Sequence, residues 1–579
     1  MNCGIRNAHY RAKKQNGRIV SWLLTNILLL KNLLKRSDLS TREKSPYTYM
    51  RALLRKYPRL IDRPAIICGR TVTYGTMLEE INSAAKFLAE KLQCRAGENV
   101  ALCAAGSAEG IIAFFALNAI GSVAARIFNG ASEQKIRANL LDFSARIVFT
   151  DTANLTQLVN ALSGTNVEHV ILMDNCSGGR DVLKKKTEVF LWEWEQLMQE
   201  GAEIPELPQR ECSLKDSAAI LYTSGSSGEP KPILLSNSAY VYMPQIVKAT
   251  TNQRLCDGEK VVGVVSHEYP YAAINSTVMI LMLGKTLILP VGNEGLNFNS
   301  LFLNKPDKIQ GIPNFYKFLE SQSELSEHLL GNLKNIVSGG EVFLEKEKLE
   351  TLQWFEEKGI CPLLIDGFGF GELGSAVALK FGMSSDFLLM NGVRAKAVNE
   401  KTKAELPVGK EGLLAITSPC IAVGYWHNEE ATAQNFVYDE HGEKWFISDT
   451  YGSVQGLTRR RIRLGGRVRE YFICGDGNGN FVKVYAGNVE NAIMSTGLLT
   501  DCIVVPSDSG ALPRPVAYAV MKNDLSLTPD KVKEEIYVAC QSLENFAWPA
   551  EIHFIPNMKR TDAGKKDYGY YRKLSADKL

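Results

Sequence analysis

From Pro46 to about Leu214 the chain alternates stretches whose apolar residues recur at helical spacing with short, wholly apolar runs. That pattern predicts helices layered on strands, an α/β architecture. Leu78, Ile81, Ala85, Leu88 and Leu92 fall on one helical face, and Val100 to Cys103 follows as a buried strand. The unit then repeats. Ile111 to Ile120 reads as an apolar helix, Gly121 to Ala125 leads into another strand, and Ala145 to Thr150 into a third. Such signals continue to about Arg463. Beyond it the periods shorten and charge increases, with Thr528 to Ser542 reading as one amphipathic helix, so a small separate C-terminal domain is expected.

The start of the chain differs from the rest. Met1 to Arg36 holds eight Lys or Arg and no acidic residue, and Ile19 to Leu30 is mostly apolar yet too short to span a bilayer. Ile19, Trp22, Leu23, Ile27, Leu30 and Leu34 lie at helical spacing with cations at both ends, which suits an interfacial helix on anionic lipid. A helix packed on the protein's own surface, a transit peptide and a translated leader fit the same pattern. Residues 1–40 are therefore set apart as an N-terminal extension, with peripheral membrane contact as one of its readings.

Composition narrows the class. At 579 residues the chain is long enough for several packed units, and 45% hydrophobic with 22% charged residues excludes disorder, collagen and a disulfide-stapled miniprotein. Lys+Arg 66 against Asp+Glu 63 leaves a net charge of +3, too little for a strong field toward nucleic acid. The 12 cysteines include no Cys-x-x-Cys pair, so neither a zinc cluster nor a disulfide framework is indicated, and a reducing, cytoplasmic setting is expected. No run of about 18 apolar residues appears anywhere.

The most informative stretch is Ala218-Ala219-Ile220-Leu221-Tyr222-Thr223-Ser224-Gly225-Ser226-Ser227-Gly228-Glu229-Pro230-Lys231. An apolar strand runs straight into hydroxyls, glycines and one lysine. Glycines let the backbone turn its N–H groups inward, hydroxyls add donors and the lysine adds charge, which together suit a polyphosphate. The spacing is not that of a Walker A loop. Alone, a Ser/Gly-rich turn is more often a plain surface turn.

The whole string closely resembles the Tyr-Thr-Ser-Gly-Ser-Thr-Gly-x-Pro-Lys-Gly signature of the adenylate-forming superfamily, which includes acyl- and aryl-CoA synthetases, luciferases and peptide-synthetase adenylation domains. Ser227 replaces a threonine, and Pro232 stands where the family has glycine, fixing φ and removing one backbone donor. Further motifs follow in the family's order. Asn332 to Glu341, ending Ser338-Gly339-Gly340-Glu341, is similar to the turn beside the nucleotide and acyl pockets. Phe368-Gly369-Phe370-Gly371-Glu372 resembles Tyr-Gly-x-Thr-Glu, in which the aromatic lies against adenine and the glutamate reaches magnesium. The resemblance makes Glu372 the metal ligand; Gly371 lacks the hydroxyl used on the α-phosphate, implying a weaker site or a gap filled by water. Glu405 to Gly409 through Gly424-Tyr425-Trp426 is similar to the approach to the ribose site and reads mostly as scaffold. Trp445 to Asp449 stands where the family has an aromatic followed by Thr-Gly-Asp, so Asp449 is the acid for the ribose hydroxyls and Arg467 its cationic neighbour.

Gly466-Arg467-Val468-Arg469 resembles the family's hinge, with Arg469 in place of the pivot aspartate, and Cys474 to Asn480 is a glycine-rich insertion where relatives have a short loop. Lys559 to Lys565 resembles the C-terminal motif whose lysine bridges substrate carboxylate and α-phosphate, with Lys566 as competitor to Lys565. The resemblance thus implies a large domain of mixed sheets over 41–465 and a mobile α+β domain over 466–579. It implies ATP and Mg²⁺, catalysis by Lys565, Lys231 and Glu372, and a phosphate loop of Thr223, Ser224, Gly225, Ser226, Ser227, Gly228 and Lys231. Gly339, Gly340, Glu341, Phe368, Gly369, Asp449 and Arg467 complete the expected nucleotide contacts. His267, Gly311 and Pro313 fall in regions that line acyl pockets in relatives, although His267 fits a structural role equally well. The implied reaction joins a carboxylic acid to AMP with release of pyrophosphate. Transfer follows to the thiol of CoA or of a phosphopantetheine carrier protein. A stand-alone amino-acid adenylating enzyme and a degenerate nucleotide-binding scaffold are the alternatives.

Overall fold

The computed structural model describes the chain apart from 1–41, 175–188, 207–209, 224–230, 252, 265–266, 291–300, 323–324, 326, 342, 457, 459, 468–470, 476–480, 508–513, 524, 542, 544–546, 561–565 and 577–579. The basic N-terminal extension, the hinge residue Arg469 and most of the glycine-rich insertion therefore lie outside the described residues.

Six parallel strands form the body of an eight-stranded sheet, in the order Ser217–Thr223, Val123–Arg126, Asn99–Cys103, Ile147–Thr150, His169–Leu172, Phe190–Glu193. Lys231–Ser236 and Gly424–Tyr425 extend one edge antiparallel. The central strands Val123–Arg126, Asn99–Cys103 and Ile147–Thr150 are buried on both faces, as crossover helices require, which is why they read as apolar runs. The helix Ala108–Ile120 is buried nearly all round and starts at Ser107, whose side chain accepts from Gly110 N; it stops at Gly121, where φ is 75°. Ser132 and Asp151 cap the next two helices in the same way.

A second, 14-stranded sheet is parallel from Pro64–Cys68 through Thr286–Ile288, Lys260–Gly263, Lys308–Gly311 and Asn335–Ser338 to Leu363–Phe370. It continues antiparallel through Ser375–Phe381, Phe387–Leu389, Arg461–Arg467, Lys444–Gln455, Gly412–Thr417 and Arg394–Val398. Ligands in open α/β sheets gather beyond the carboxyl ends of parallel strands. Here the ends of Ser217–Thr223, Asn335–Ser338 and Leu363–Phe370 supply the residues of the candidate site.

Strands after Arg467 leave this sheet. Tyr471–Gly475 pairs with Phe481–Tyr485, and Leu499–Pro506, Pro515–Met521 and Glu551–Phe554 form a three-stranded sheet. The amphipathic helix expected at 528–542 spans Pro529–Cys540, with the Thr528 side chain accepting from Lys531 N. It buries Val532 and Ile536 against Val489, Ile493, Cys502 and Ala517, and Leu344 of the preceding large unit joins the same core. Lys346 Nζ donates to the Met494 carbonyl at 2.7 Å across that contact. No helix among the described residues is long and apolar enough to cross a membrane.

Candidate active site

Thr223 ends one strand and Lys231 begins the next, and the two are direct partners in the antiparallel register. Opposed residues of such a pair stand about 5 Å apart at Cα, so the two ends of the 224–230 segment are pinned side by side. Ser224, Gly225, Ser226, Ser227 and Gly228 themselves lie outside the described residues. Thr223 is buried, and its hydroxyl lies 3.5 Å from the Lys231 carbonyl. Pro232 does not weaken the pair. Its carbonyl accepts from Trp426 N at 3.0 Å, and the N–H and C=O of one strand residue point the same way. The donor that proline lacks thus belonged to the 424–426 side, not to the strand of Thr223.

Lys231 extends its ammonium over the Tyr425 ring, 5.6 Å from the centroid. The Tyr425 hydroxyl in turn donates to Glu372 Oε1 at 2.7 Å. Burial, together with the charges of Glu372 and Asp449, pushes the Tyr425 hydroxyl pKa far up, so it stays a donor. Tyr425 is fixed by pairing with Ile233 and by its N–H, which donates to Thr432 Oγ1 at 2.9 Å. Sequence reading placed Tyr425 in scaffold; its position between lysine and glutamate was hidden because the contact joins three segments distant in the chain.

Glu372 sits on a single tight turn, Gly371–Leu373, closed by Gly374 at φ 72° and followed by Ser375 at φ 110°, a conformation non-glycine residues rarely adopt. Its carbonyl accepts from Ala422 N at 2.9 Å, and the side chain is buried. Of the two consequences expected of Gly371, a weaker site or a gap filled by water, the geometry speaks against the gap. A Cβ there would lie 2.6 Å from Thr223 Cγ2 and 3.2 Å from Pro270 Cγ, so the Thr223 methyl and Pro270 already fill the space. Gly369 has no room for a side chain either, its Cβ position being 1.9 Å from the Ser375 carbonyl.

Asp449 lies on the Lys444–Gln455 strand, with the Thr450 hydroxyl 3.5 Å from its Oδ1, near enough to Tyr425 for its charge to act there. Arg467 is the register partner of Thr450, which brings its backbone beside Asp449; its side chain is outside the described residues. Phe368 is half-buried and packs edge-on against Phe370 at 5.1 Å and obliquely against Phe387 at 5.8 Å. Gly339, Gly340 and Glu341 directly follow the strand Asn335–Ser338. A Cβ on Gly339 would stand 3.3 Å from the Tyr271 ring, and Gly340 has φ 81°. The Tyr271 hydroxyl donates to the Gly311 carbonyl at 3.1 Å, and Pro313 opens the next helix, Pro313–Glu320. Gly311, Gly339 and Gly340 thus gather round Tyr271, which the sequence reading passed over in favour of His267.

His267 is buried. Its Nε2 lies 3.0 Å from Thr277 Oγ1, and burial with the Arg126 charge pushes its pKa down to about 3, so the ring is neutral. Lys565 lies outside the described residues, whereas its competitor Lys566 is engaged. The Lys566 ammonium donates to the Cys502 carbonyl at 2.6 Å and pairs with Asp501 at 3.2 Å and Glu490 at 3.6 Å. Burial alone would lower its pKa; Glu490 and Asp501 outweigh that and raise it.

Chemically, these residues bring a lysine and two carboxylates around the Tyr425 hydroxyl donor, with Thr223 paired beside the lysine. Among the described residues no cluster of three or more His, Cys, Asp or Glu could hold a metal by itself. A lone carboxylate such as Glu372 fits Mg²⁺, which takes one or two carboxylates from protein and completes its shell from phosphates and water.

Comparison with known proteins agrees with this architecture. The family model for AMP-binding enzymes matches residues 55–426, and that for the AMP-binding enzyme C-terminal domain matches 488–565. The chain belongs to the AMP-binding enzyme family of adenylate-forming proteins. Acetyl-coenzyme A synthetase 1 of Debaryomyces hansenii is 24% identical over 571 residues, covering 89% of this chain and 79% of the relative. A long-chain-fatty-acid–CoA ligase of Salmonella typhimurium is 21% identical over 534 residues, covering 88% and 91%. Among solved structures, the anthranilate CoA ligase AuaEII in complex with anthranoyl-AMP superposes with a TM-score of 0.75 at 20% identity, covering 94% of this chain and 99% of that one. A benzoate CoA ligase from Burkholderia xenovorans LB400 gives 0.75 at 18%, covering 90% and 99%. These likenesses show the shared fold.

Proposed function

We propose that this protein activates a carboxylic acid with ATP, forming an acyl adenylate and pyrophosphate, and then passes the acyl group to a thiol. The observation that carries the reading is the chain of contacts from Lys231 through Tyr425 to Glu372, set at the mouth of the Thr223–Lys231 hairpin. Nucleotidyl transfer asks little covalent chemistry of the protein; alignment and charge neutralisation dominate. Lys231 and the 224–230 segment hold the β- and γ-phosphates, Phe368 lies against the base, and Asp449 accepts from the ribose hydroxyls. Gly339, Gly340 and Glu341 leave backbone room for the adenylate beside Tyr271. Glu372 would hold Mg²⁺, which when bound offsets phosphate charge. Tyr425 fixes the Glu372 carboxylate and shields it from Lys231, keeping both charges directed into the cleft.

The hinge at 466–469 then lets the 466–579 unit present two faces in turn, with Lys565 drawing substrate carboxylate and α-phosphate together in the first. Free CoA is the favoured acceptor, since the relatives named above are CoA ligases or a CoA synthetase; a carrier protein is the alternative. A reducing, cytoplasmic setting belongs to the same reading. Incubation with ATP, Mg²⁺ and a broad panel of carboxylic acids should release pyrophosphate with at least one of them. ATP binding without release for any acid would instead favour a nucleotide-binding scaffold.

A further inference from the structure

The strands Lys308–Gly311 and Asn335–Ser338 end side by side, with Gly311 the register partner of Ser338, and the turn Gly339–Gly340 follows directly. Glycine at 311 and at 339 leaves this edge bare of side chains, at the carboxyl ends of parallel strands, where ligands of open α/β sheets bind. Tyr271 occupies the room so left. Its Cε2 and Cζ lie 3.3 Å from a Cβ placed on Gly339, and its Cδ1 lies 3.9 Å from one placed on Gly340. The hydroxyl crosses to the Gly311 carbonyl at 3.1 Å, and Phe315 packs on Gly311 itself, its Cδ1 3.0 Å from the Cβ position there.

The ring is held in that place. Tyr271 opens the π-helical segment Tyr271–Val278, whose remaining residues are all buried, and such wide turns are rare and gather at functional sites. Pro270, just before it, packs 3.2 Å from the Cβ position of Gly371, which ties the ring to the turn that carries Glu372. Burial keeps the Tyr271 hydroxyl protonated, so it remains a donor. Even so the residue is only half-buried, and part of it stays open.

This position limits how far an acid can extend. With the base on Phe368, the ribose on Asp449 and the phosphates toward Lys231 and Glu372, an acid whose carboxylate meets the α-phosphate runs its remaining atoms toward the Gly339–Gly340 turn and Gly311. There it meets the tyrosine. We propose that Tyr271 is the floor of the acid pocket and sets its length, so that the enzyme takes short aliphatic acids, of the size of acetic or propionic acid, and turns away long-chain and aromatic ones. This deepens the activity proposed above and rests on it. Discrimination should be steep, because one methylene too many or too few in a hydrophobic pocket changes kcat/KM by roughly 10–200-fold.

The test is a length series from acetate to decanoate, with benzoate added, read by ATP–pyrophosphate exchange. It is paired with thermal shift by propionyl- and octanoyl-sulfamoyl adenosine, stable mimics of the acyl adenylate. The native protein should favour propionate over octanoate by roughly 100-fold or more in kcat/KM, and only the propionyl mimic should raise its melting temperature. Tyr271→Ala should move the optimum to longer acids, bring octanoate to within roughly 10-fold of propionate and let both mimics stabilise. Tyr271→Phe keeps the ring and should keep the ranking, which separates a steric floor from a polar contact. Tyr271→Leu should move the optimum part of the way, and it carries the comparison if the alanine variant does not fold; should neither fold, the native ranking decides alone. Native preference for octanoate, decanoate or benzoate overturns the inference and leaves acid activation standing, as does an unchanged ranking in a folded alanine or leucine variant. Stabilisation by the propionyl mimic alone, extended to the octanoyl mimic in Tyr271→Ala, upholds the pocket even without exchange by any acid, and the activity then falls instead. No exchange and no stabilisation by either mimic removes both.

Discussion

Replacing Tyr425 by Phe tests the candidate site at its most specific contact. The change deletes one hydroxyl and keeps the ring, so Lys231 retains its seat 5.6 Å from the centroid while Glu372 Oε1 loses the donor at 2.7 Å. Glu372 is 8% exposed, so water cannot freely take the donor's place. Hydrogen bonds to charged groups contribute about 1.5–3 kcal/mol, and at about 1.4 kcal/mol per decade the loss is roughly 10–150-fold. If the carboxylate works on the nucleotide side, that factor appears in kcat/KM for ATP, read by pyrophosphate exchange at saturating acid. The KM for the acid should shift far less. Tyr425→Leu removes the ring as well and should lose a further factor, since an ammonium–aromatic contact contributes about 0.5–2 kcal/mol. The decisive measurement is the cycle of Tyr425→Phe with Glu372→Gln. Coupled residues deviate from additivity by 0.5–3 kcal/mol, in general, and independent ones add to within about 0.5 kcal/mol. Additive losses would refute the claim that tyrosine acts through Glu372.

Other outcomes follow from the same geometry. Gly371→Thr should destabilise the protein by about 1–3 kcal/mol through overpacking against Thr223, and Thr223→Ser in the same chain should recover most of it; equal melting temperatures for all three variants would show that the space is not filled. Lys566→Met leaves the buried carboxylates of Glu490 and Asp501 short of a half-buried cation, a loss of about 3 kcal/mol, at the low end because Arg560 also pairs with Asp501; Lys565→Ala should leave stability intact, abolish adenylation and spare thiolysis of a supplied acyl adenylate. His267, held neutral with its pKa near 3, protonates near 6.5 once unfolded, so the unfolded chain binds the extra proton between those values. Stability from this residue is complete above pH 6.5 and falls by about 1.4 kcal/mol per unit as pH drops toward 3. Urea denaturation between pH 6.5 and 5, above the range of ordinary carboxylates, should show that slope in the native protein and lose it in His267→Gln. A slope identical in both would sink the assignment.

Patterns local in the chain were legible in advance. The helix at Ala108–Ile120, its strand neighbours and the C-terminal helix Pro529–Cys540 all follow from apolar spacing and from caps such as Ser107 and Thr528. Motif residues that lie at strand ends, Thr223, Lys231, Glu372 and Asp449, were readable because their residue types and order match a known signature. What could not be read was who meets whom. Tyr425 reaches Glu372 only because the short strand Gly424–Tyr425 adds to the sheet beyond Lys231–Ser236, a pairing across about 190 residues that no window of sequence contains. Arg126 ends an apolar strand, Val-Ala-Ala-Arg, and in sequence looks like a charge emerging into water; in the fold it is buried, with Phe114, Tyr240, His267 and Thr277 around the same small cavity. His267 read equally as a pocket or a structural residue, and in the fold it lines that small cavity with Arg126 and Thr277.

The departures from the family signature bear on whether the chemistry has decayed. A site released from its function accumulates substitutions without regard to neighbours, and the expected traces are voids and broken ladders. At Gly371 there is no void, because the methyl of Thr223 and the ring of Pro270 occupy the place a side chain would need. At Pro232 no bond to the strand of Thr223 is lost, because the missing donor faces the short outer strand. Gly371 is closed off by Thr223 and Pro232 is met by Trp426, so each change is accommodated by a neighbour already in place, which is not the trace that unselected drift leaves.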